Sequence, residues 1–179
     1  ALILTALLLS TATVGIQTTP VHALTTYYVA TTGDNTGDGT QGNPWKTIQH
    51  AIDTVLAGST IHVGAGTYSE DLAIPWEKNN LVLEGAGMGA TKIKGVQNAP
   101  APNIEIRANG VKIHSFTIEG PDYQAGKYSS GMAIGAQDVE IYGNDFRVTP
   151  GETPGEISQA IHTLGGAESP DVSGLNIHG

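Results

Sequence analysis

Residues 111–120 read Val-Lys-Ile-His-Ser-Phe-Thr-Ile-Glu-Gly. Two apolar-polar-apolar triplets, Val111-Lys-Ile113 and Phe116-Thr-Ile118, stand two residues apart. Alternation of this kind is the period of a strand with one buried face, and each run is too short for a helix. Working outward, the first triplet recurs as Ile61-His-Val63, Leu81-Val-Leu83, Val139-Glu-Ile141 and Leu175-Asn-Ile177, with Val82 the apolar exception in the middle position. A turn-like pair precedes each: Ser59-Thr60, Asn79-Asn80, Asn109-Gly110, Gln137-Asp138 and Ser173-Gly174. The starts lie 20 to 36 residues apart. Between them fall Leu72-Ala-Ile74, Thr91-Lys-Ile93, Ile104-Glu-Ile106, Met132-Ala-Ile134, Phe146-Arg-Val148 and Ile161-His-Thr163. The pattern is a repeat of three short strands per turn with insertions of variable length.

One triangular coil cannot bury its apolar side chains alone. Stacked coils can, because each strand pairs in parallel with its equivalents above and below and the inward residues merge into one column. The end of such a column exposes unpaired strand edges, which invite aggregation. A short amphipathic helix is expected to cover that end. Thr47 is a good N-cap, Ile48, Ala51, Ile52, Val55 and Leu56 recur on one helical face, and Gly58 is suited to a left-handed end. Upstream, Tyr27-Tyr-Val29 reads as a short strand, followed by Gly33-Asp-Asn-Thr-Gly-Asp-Gly39. Asp34, Thr36 and Asp38 fit positions one, three and five of a calcium loop, but position twelve is Trp45 where a bidentate Glu belongs. Asp34 and Asp38 are therefore metal candidates only, with no metal site assigned; turn chemistry explains the same residues.

Composition agrees with a turn-rich β protein: 24 glycines in 179 residues and only 14% charged residues. A net charge of -9 argues against nucleic acid as a partner. With no cysteine there is neither a disulfide framework nor a thiolate metal site. The apolar run at residues 1–9, too short to span a bilayer, and Val21-His-Ala23 read as part of a secretory signal with cleavage after Ala23. The expected organisation is an incomplete signal peptide at 1–23, an N-terminal cap at 24–59 and coils at 60–179 that run off the C-terminus. A secreted or cell-surface monomer with no membrane span after cleavage is expected.

The run TYYVATTGDNTGDGTQGNPWKTIQHAIDTVLAGSTIHVGAGTY (residues 26–68) resembles the N-terminal cap and first coil of secreted right-handed parallel β-helix proteins, the pectate-lyase-like superfamily. LVLEGAGMGATKIKG (81–95), VKIHSFTIEG (111–120) and VEIYGNDF (139–146) each resemble one coil. The resemblance covers about residues 26–179 and implies an all-β fold: a right-handed parallel β-helix of three sheets and about four coils behind a capping helix. It places 72–74, 104–106, 132–134 and 161–163 in a first sheet. A second sheet takes 81–83, 111–113, 139–141 and 175–177, and a third takes 91–93, 116–118 and 146–148. It implies a structural turn role for Asn144. The architecture serves lyases, hydrolases and non-enzymatic surface proteins alike.

The resemblance also implies a polysaccharide or glycan ligand in a groove walled by outward residues of the first sheet and loops after the third. That outward stack would be Ala73, Glu105, Ala133 and His162, with Arg107 on the same face. Candidate catalytic residues are Glu105, Arg107, Lys127 and His162; candidate substrate-binding residues are Asp122, Tyr123 and Tyr128, with Glu152 and Glu156 in the adjacent loops. A lyase requires a base, a cation at the uronate and an acid, and Ca²⁺ can supply the cation. A glycosidase requires two carboxylates about 5–9.5 Å apart. Glu105 and His162, two coils apart, would stand roughly 10 Å from each other. Two readings stay open: a polysaccharide lyase or hydrolase, and a non-catalytic surface protein that binds glycans or a protein partner.

Overall fold

The computed structural model describes residues 25–96, 102–119, 130–147, 159–163, 174 and 176–178. The chain opens with β1 (Thr26–Val29) and α1 (Ile48–Thr54). The first coil follows as β2 (Thr60–Val63), β3 (Gly66–Ser69) and β4 (Leu72–Ile74), and the second as β5 (Val82–Gly85), β6 (Thr91–Lys94) and β7 (Ile104–Ile106). The third is β8 (Lys112–His114), β9 (Thr117–Glu119) and β10 (Ser130–Ile134), and the fourth β11 (Glu140–Tyr142), β12 (Asp145–Arg147) and β13 (Gln159–Thr163), before β14 (Asn176–His178). Each strand pairs in parallel with its equivalent one coil away. The first sheet runs β4-β7-β10-β13, the second β1-β2-β5-β8-β11-β14 and the third β3-β6-β9-β12. The protein is a right-handed parallel β-helix, the hand taken by parallel crossovers.

Inward residues fill the shaft: Leu72, Ile74, Ile104, Ile106, Met132 and Ile134 from the first sheet, Ile61, Leu83, Ile113 and Ile141 from the second, and Ile93, Phe116 and Ile118 from the third side are all buried. Each large aliphatic side chain so buried contributes about 1.5–3 kcal/mol. Thr91 also points in, and its hydroxyl accepts from the Ala86 N–H (2.9 Å); Thr117, outward between Phe116 and Ile118, is nonetheless buried and accepts from the Gly89 N–H (2.9 Å).

The register corrects two details of the sequence reading. Ile61 stands opposite Leu83, not Leu81. The first coil's equivalent of the Leu81 position is therefore Ser59, a buried serine that hides the repeat. In the third sheet Phe146 faces Ile118, so Asn144 takes the place of Phe116. Asn144 Oδ1 accepts from the Phe116 N–H (3.0 Å) and its Nδ2 donates to the Ile113 carbonyl (2.9 Å). Its role is to hold the corner.

The corner leading into the second sheet is a stacked column of left-handed residues: Gly58 (φ 77°), Asn80 (59°), Gly110 (68°), Asp138 (55°) and Gly174 (72°). Glycine and Asx alternate, and both tolerate this backbone. The alternation is steric: Asn80 Oδ1 lies where a Cβ on Gly110 would stand, and Asp138 Oδ1 does the same at Gly174.

The N-terminal end is closed by more than a helix. Helix α1 packs against β4, β1 and β2 and buries Ile48, Ala51 and Ile52. It ends at Thr54 with Val55 extended, four residues before Gly58, so Leu56 is 61% exposed instead of joining the apolar face. Thr47 caps it as expected, accepting from the His50 N–H (3.4 Å). Glu70, from the end of β3, accepts from the Ile48 and Gln49 N–H groups (2.9 and 3.0 Å). Lys78 is buried and donates to the carbonyls of Asp53 (2.9 Å) and Val55 (2.6 Å), satisfying the other end. Gln49 Oε1 accepts from the Ala73 N–H (2.8 Å) and its Nε2 donates to the Ala73 carbonyl (3.1 Å). One side-chain amide thus offers β4 the donor and acceptor of a neighbouring strand. On β1 the Asp-Gly loop performs the same service, with Tyr28 N–H donating to Gly39 and Ala30 N–H to Trp45.

Candidate functional site

The strand register builds the outward face of the first sheet. Ala73, Glu105 and Ala133 share one column, and His162 follows Ala133 on β13. The backbone thus places Glu105 and His162 two rungs apart. Small residues flank the charged one: Ala73 below and Ala133 above. Glu105 Oε1 accepts from Arg107 Nε (2.8 Å) and Nη2 (2.6 Å). The i, i+2 spacing on a strand brings these two side chains to the same face. Arg107 donates its backbone N–H to Ile74, and Gly135 donates to Ile106. The guanidinium therefore rises from a row whose next rung carries only glycine. Lys127, Asp122, Tyr123, Tyr128, Glu152 and Glu156 lie outside the described residues.

The rim of this face is set by a difference in corner length. From Ile106 to Asn109 and from Ile134 to Gln137 the chain takes three steps, but from Ile74 to the equivalent Asn79 it takes five. The two extra residues form a turn, Pro75-Trp-Glu-Lys78, closed by Lys78 N–H donating to Pro75 (3.0 Å). Trp76 stands out from it, 73% exposed. The other tryptophan, Trp45, is 3% exposed and stacked on Tyr27 at 5.1 Å. Sequence reading passed over Trp76; the longer corner at an aromatic residue was its visible signal.

The loop with the calcium-like spacing has turned its carboxylates on itself. Asp34 Oδ1 accepts from the Thr36 N–H (2.9 Å), and Asp38 Oδ1 from the Thr40 N–H (3.2 Å) and hydroxyl (2.9 Å). These bonds hold both carboxyls below the ordinary carboxylate value. Asn35 Oδ1 receives the N–H groups of Lys46 (2.9 Å) and Thr47 (3.1 Å), tying the loop to the helix start. Among the described residues no three His, Asp or Glu side chains gather as a metal-binding group.

The outward face of the second sheet is crowded by contrast. Tyr28, His62, Glu84, His114, Tyr142 and His178 succeed one another in register. His114 stacks on Tyr142 at 4.6 Å and Tyr142 on His178 at 5.2 Å, while His62 Nδ1 lies 3.5 Å from Glu84. In the next column Lys112 Nζ meets both oxygens of Glu140 at 2.9 Å. Burial holds the His114 ring below its ordinary value, against an opposing pull from Glu84.

The family model described as "Protein of unknown function (DUF1565)" matches residues 31–178. Among curated proteins, the uncharacterized protein YwoF of Bacillus subtilis (strain 168) is 25% identical over 132 residues, covering 65% of this chain and 28% of that one. A probable pectinesterase/pectinesterase inhibitor 64 of Arabidopsis thaliana is 33% identical over 88 residues, 42% of this chain and 15% of that one. The chain thus spans less than a third of either relative. Among solved structures, a rhamnogalacturonan lyase superposes with a TM-score of 0.57 at 12% identity, over 87% of this chain and 50% of that one. Pectin methylesterase from carrot does so with a TM-score of 0.53 at 19% identity, over 75% and 40%. At such identities these likenesses establish the fold.

Proposed function

The chain belongs to the DUF1565 family, and from that premise we propose that it binds, as part of processing, a polysaccharide laid along the outward face of the first sheet. One observation carries the reading: on this face Ala73 and an ion-paired Glu105–Arg107 stand open to solvent beside a covered Ala133, while the second sheet's face is filled by its own cross-strand pairs. An open face that presents a donor and an acceptor side by side suits the hydroxyl-rich edge of a glycan. The printed names of the relatives, pectinesterase and rhamnogalacturonan lyase, agree with a carbohydrate ligand. Glu105 is engaged by Arg107, so we assign this pair to holding the glycan, and leave bond cleavage to Lys127, His162 and the loops that carry Asp122, Tyr123 and Tyr128. For an acidic sugar, Ca²⁺ would be held through those loops.

In this reading residues 1–23 are a secretory leader, 24–59 the cap and 60–179 the coils, and the protein acts outside the cytoplasm as a monomer. The test is affinity electrophoresis of the full chain through gels containing polygalacturonate, with and without calcium, and neutral galactan, xylan and glucan. Retardation by at least one polymer, lost in Glu105→Ala/Arg107→Ala, is the expected result. Unchanged mobility in every gel refutes the proposal.

A further inference from the structure

We infer that Trp76 is a stacking platform for an uncharged sugar ring at the edge of the first sheet's outward face; this rests on the glycan reading above and narrows it to one residue and one ligand class. The argument begins with an anomaly of packing. A tryptophan is the side chain with most to gain from burial, yet 73% of Trp76 is left in water. The chain goes out of its way to put it there. The corner that carries it is two residues longer than the same corner in the next two coils, and the extra residues make the turn on which it stands.

That turn is pinned at both ends. Lys78 N–H donates to Pro75, and the buried Lys78 ammonium is anchored on the carbonyls of Asp53 and Val55 under helix α1. A ring presented on a rigid turn loses little freedom when a ligand stacks on it, which is what a pre-organised binding residue requires. The flat indole face complements the apolar face of a pyranose. The polar edge of the same sugar then needs donors and acceptors nearby. Arg107 supplies donors one rung away, its backbone tied to Ile74 at the foot of the turn, and Glu105 supplies an acceptor.

Charge selects the ligand class. Arg107 is already neutralised by Glu105, at 2.6 Å, and Lys78 is buried on carbonyls. Asp53 on the helix and Glu77 next to Trp76 are both exposed carboxylates. With a chain of net charge -9, the rim repels a polyuronate and accepts a neutral glycan.

The two tryptophans make the test direct, since one is buried and the other is Trp76. The full chain is titrated with neutral galactan, xylan and cello-oligosaccharides and, separately, with oligogalacturonate, following intrinsic fluorescence. A blue shift with a neutral oligosaccharide and none with the uronate is expected. In the same gels, Trp76→Ala should weaken retardation by the neutral polymer about ten-fold or more, and Trp76→Tyr should restore part of it. Retardation of Trp76→Ala equal to that of the wild type, with Glu105→Ala/Arg107→Ala abolishing it, overturns this inference and spares the glycan reading. A larger shift with oligogalacturonate than with any neutral sugar overturns the ligand class. Failure of every polymer to retard the wild type overturns both.

Discussion

The first and second sheets are built on one shaft and dressed in opposite ways. On the second, outward side chains find partners in the neighbouring rung: His114 on Tyr142, Tyr142 on His178, Lys112 on Glu140. On the first, Glu105 finds its partner two residues along its own strand, and the rungs on either side offer alanine. Cross-strand pairs stabilise a sheet. The first face forgoes them and leaves Ala73 and the Arg107 guanidinium in solvent, and the exposed Trp76 at its edge is the matching excess of apolar surface.

The comparison can be broken most forcefully from inside, where both faces share a core. Phe116 is wholly buried, and Phe116→Ala should cost about 3–5 kcal/mol in a urea titration. A loss well under 1 kcal/mol would mean that the shaft is not packed as described. Next is Lys78, which belongs to the first-sheet side alone. Lys78→Ala leaves the Asp53 and Val55 carbonyls without their donor and should cost about 1–3 kcal/mol, with weaker glycan retention because the Trp76 turn loses its anchor. The stack on the second sheet should matter less. A double-mutant cycle on Tyr142→Ala and His178→Ala is expected to give a coupling of about 0.5–1.5 kcal/mol and no change in glycan retention.

The smallest effect is a pH dependence confined to the second face. The folded His114 binds its proton more weakly than the unfolded chain, whose value is near 6.5. Stability is therefore complete above about 6.5 and declines as pH falls through the lower folded value. The groups facing the ring are Glu84 from β5, Tyr142 from β11 and the Ser115 hydroxyl, with His62 beyond Glu84 and the Lys112–Glu140 pair alongside. His114→Asn should flatten the thermal midpoint between pH 7 and 5 relative to the wild type; an unchanged slope would remove His114 as its source.

The winding was legible in the sequence because inward residues must be apolar at every second position, and triplets such as Val111-Lys-Ile113 announce it. It failed where an inward site is polar. Ser59 displaced the first repeat by two residues, and Asn144 did the same in the third sheet. β3 was missed because Gly66–Ser69 offers one inward ring, Tyr68, and no triplet. At the site, the resemblance implied the column Ala73-Glu105-Ala133-His162, and the two-residue spacing put Arg107 on the face of Glu105; the ion pair between them is seen only in the structure. Contacts between distant segments do not: Gln49 completing the edge of β4, Glu70 on the helix start and Lys78 on its end depend on where three stretches meet in space. Trp76 stood out only once the corner lengths of three coils could be aligned.

The division between a face satisfied by its own cross-strand pairs and one without them is tested most directly by backbone amide NMR shifts during titration with a neutral oligosaccharide that retards the chain. Shifts at Ala73, Glu105, Arg107 and Ala133, joined by the Trp76 indole, with Glu84, His114 and Tyr142 unmoved, are the expected outcome. Shifts gathered on the His114–Tyr142–His178 stack instead would contradict it.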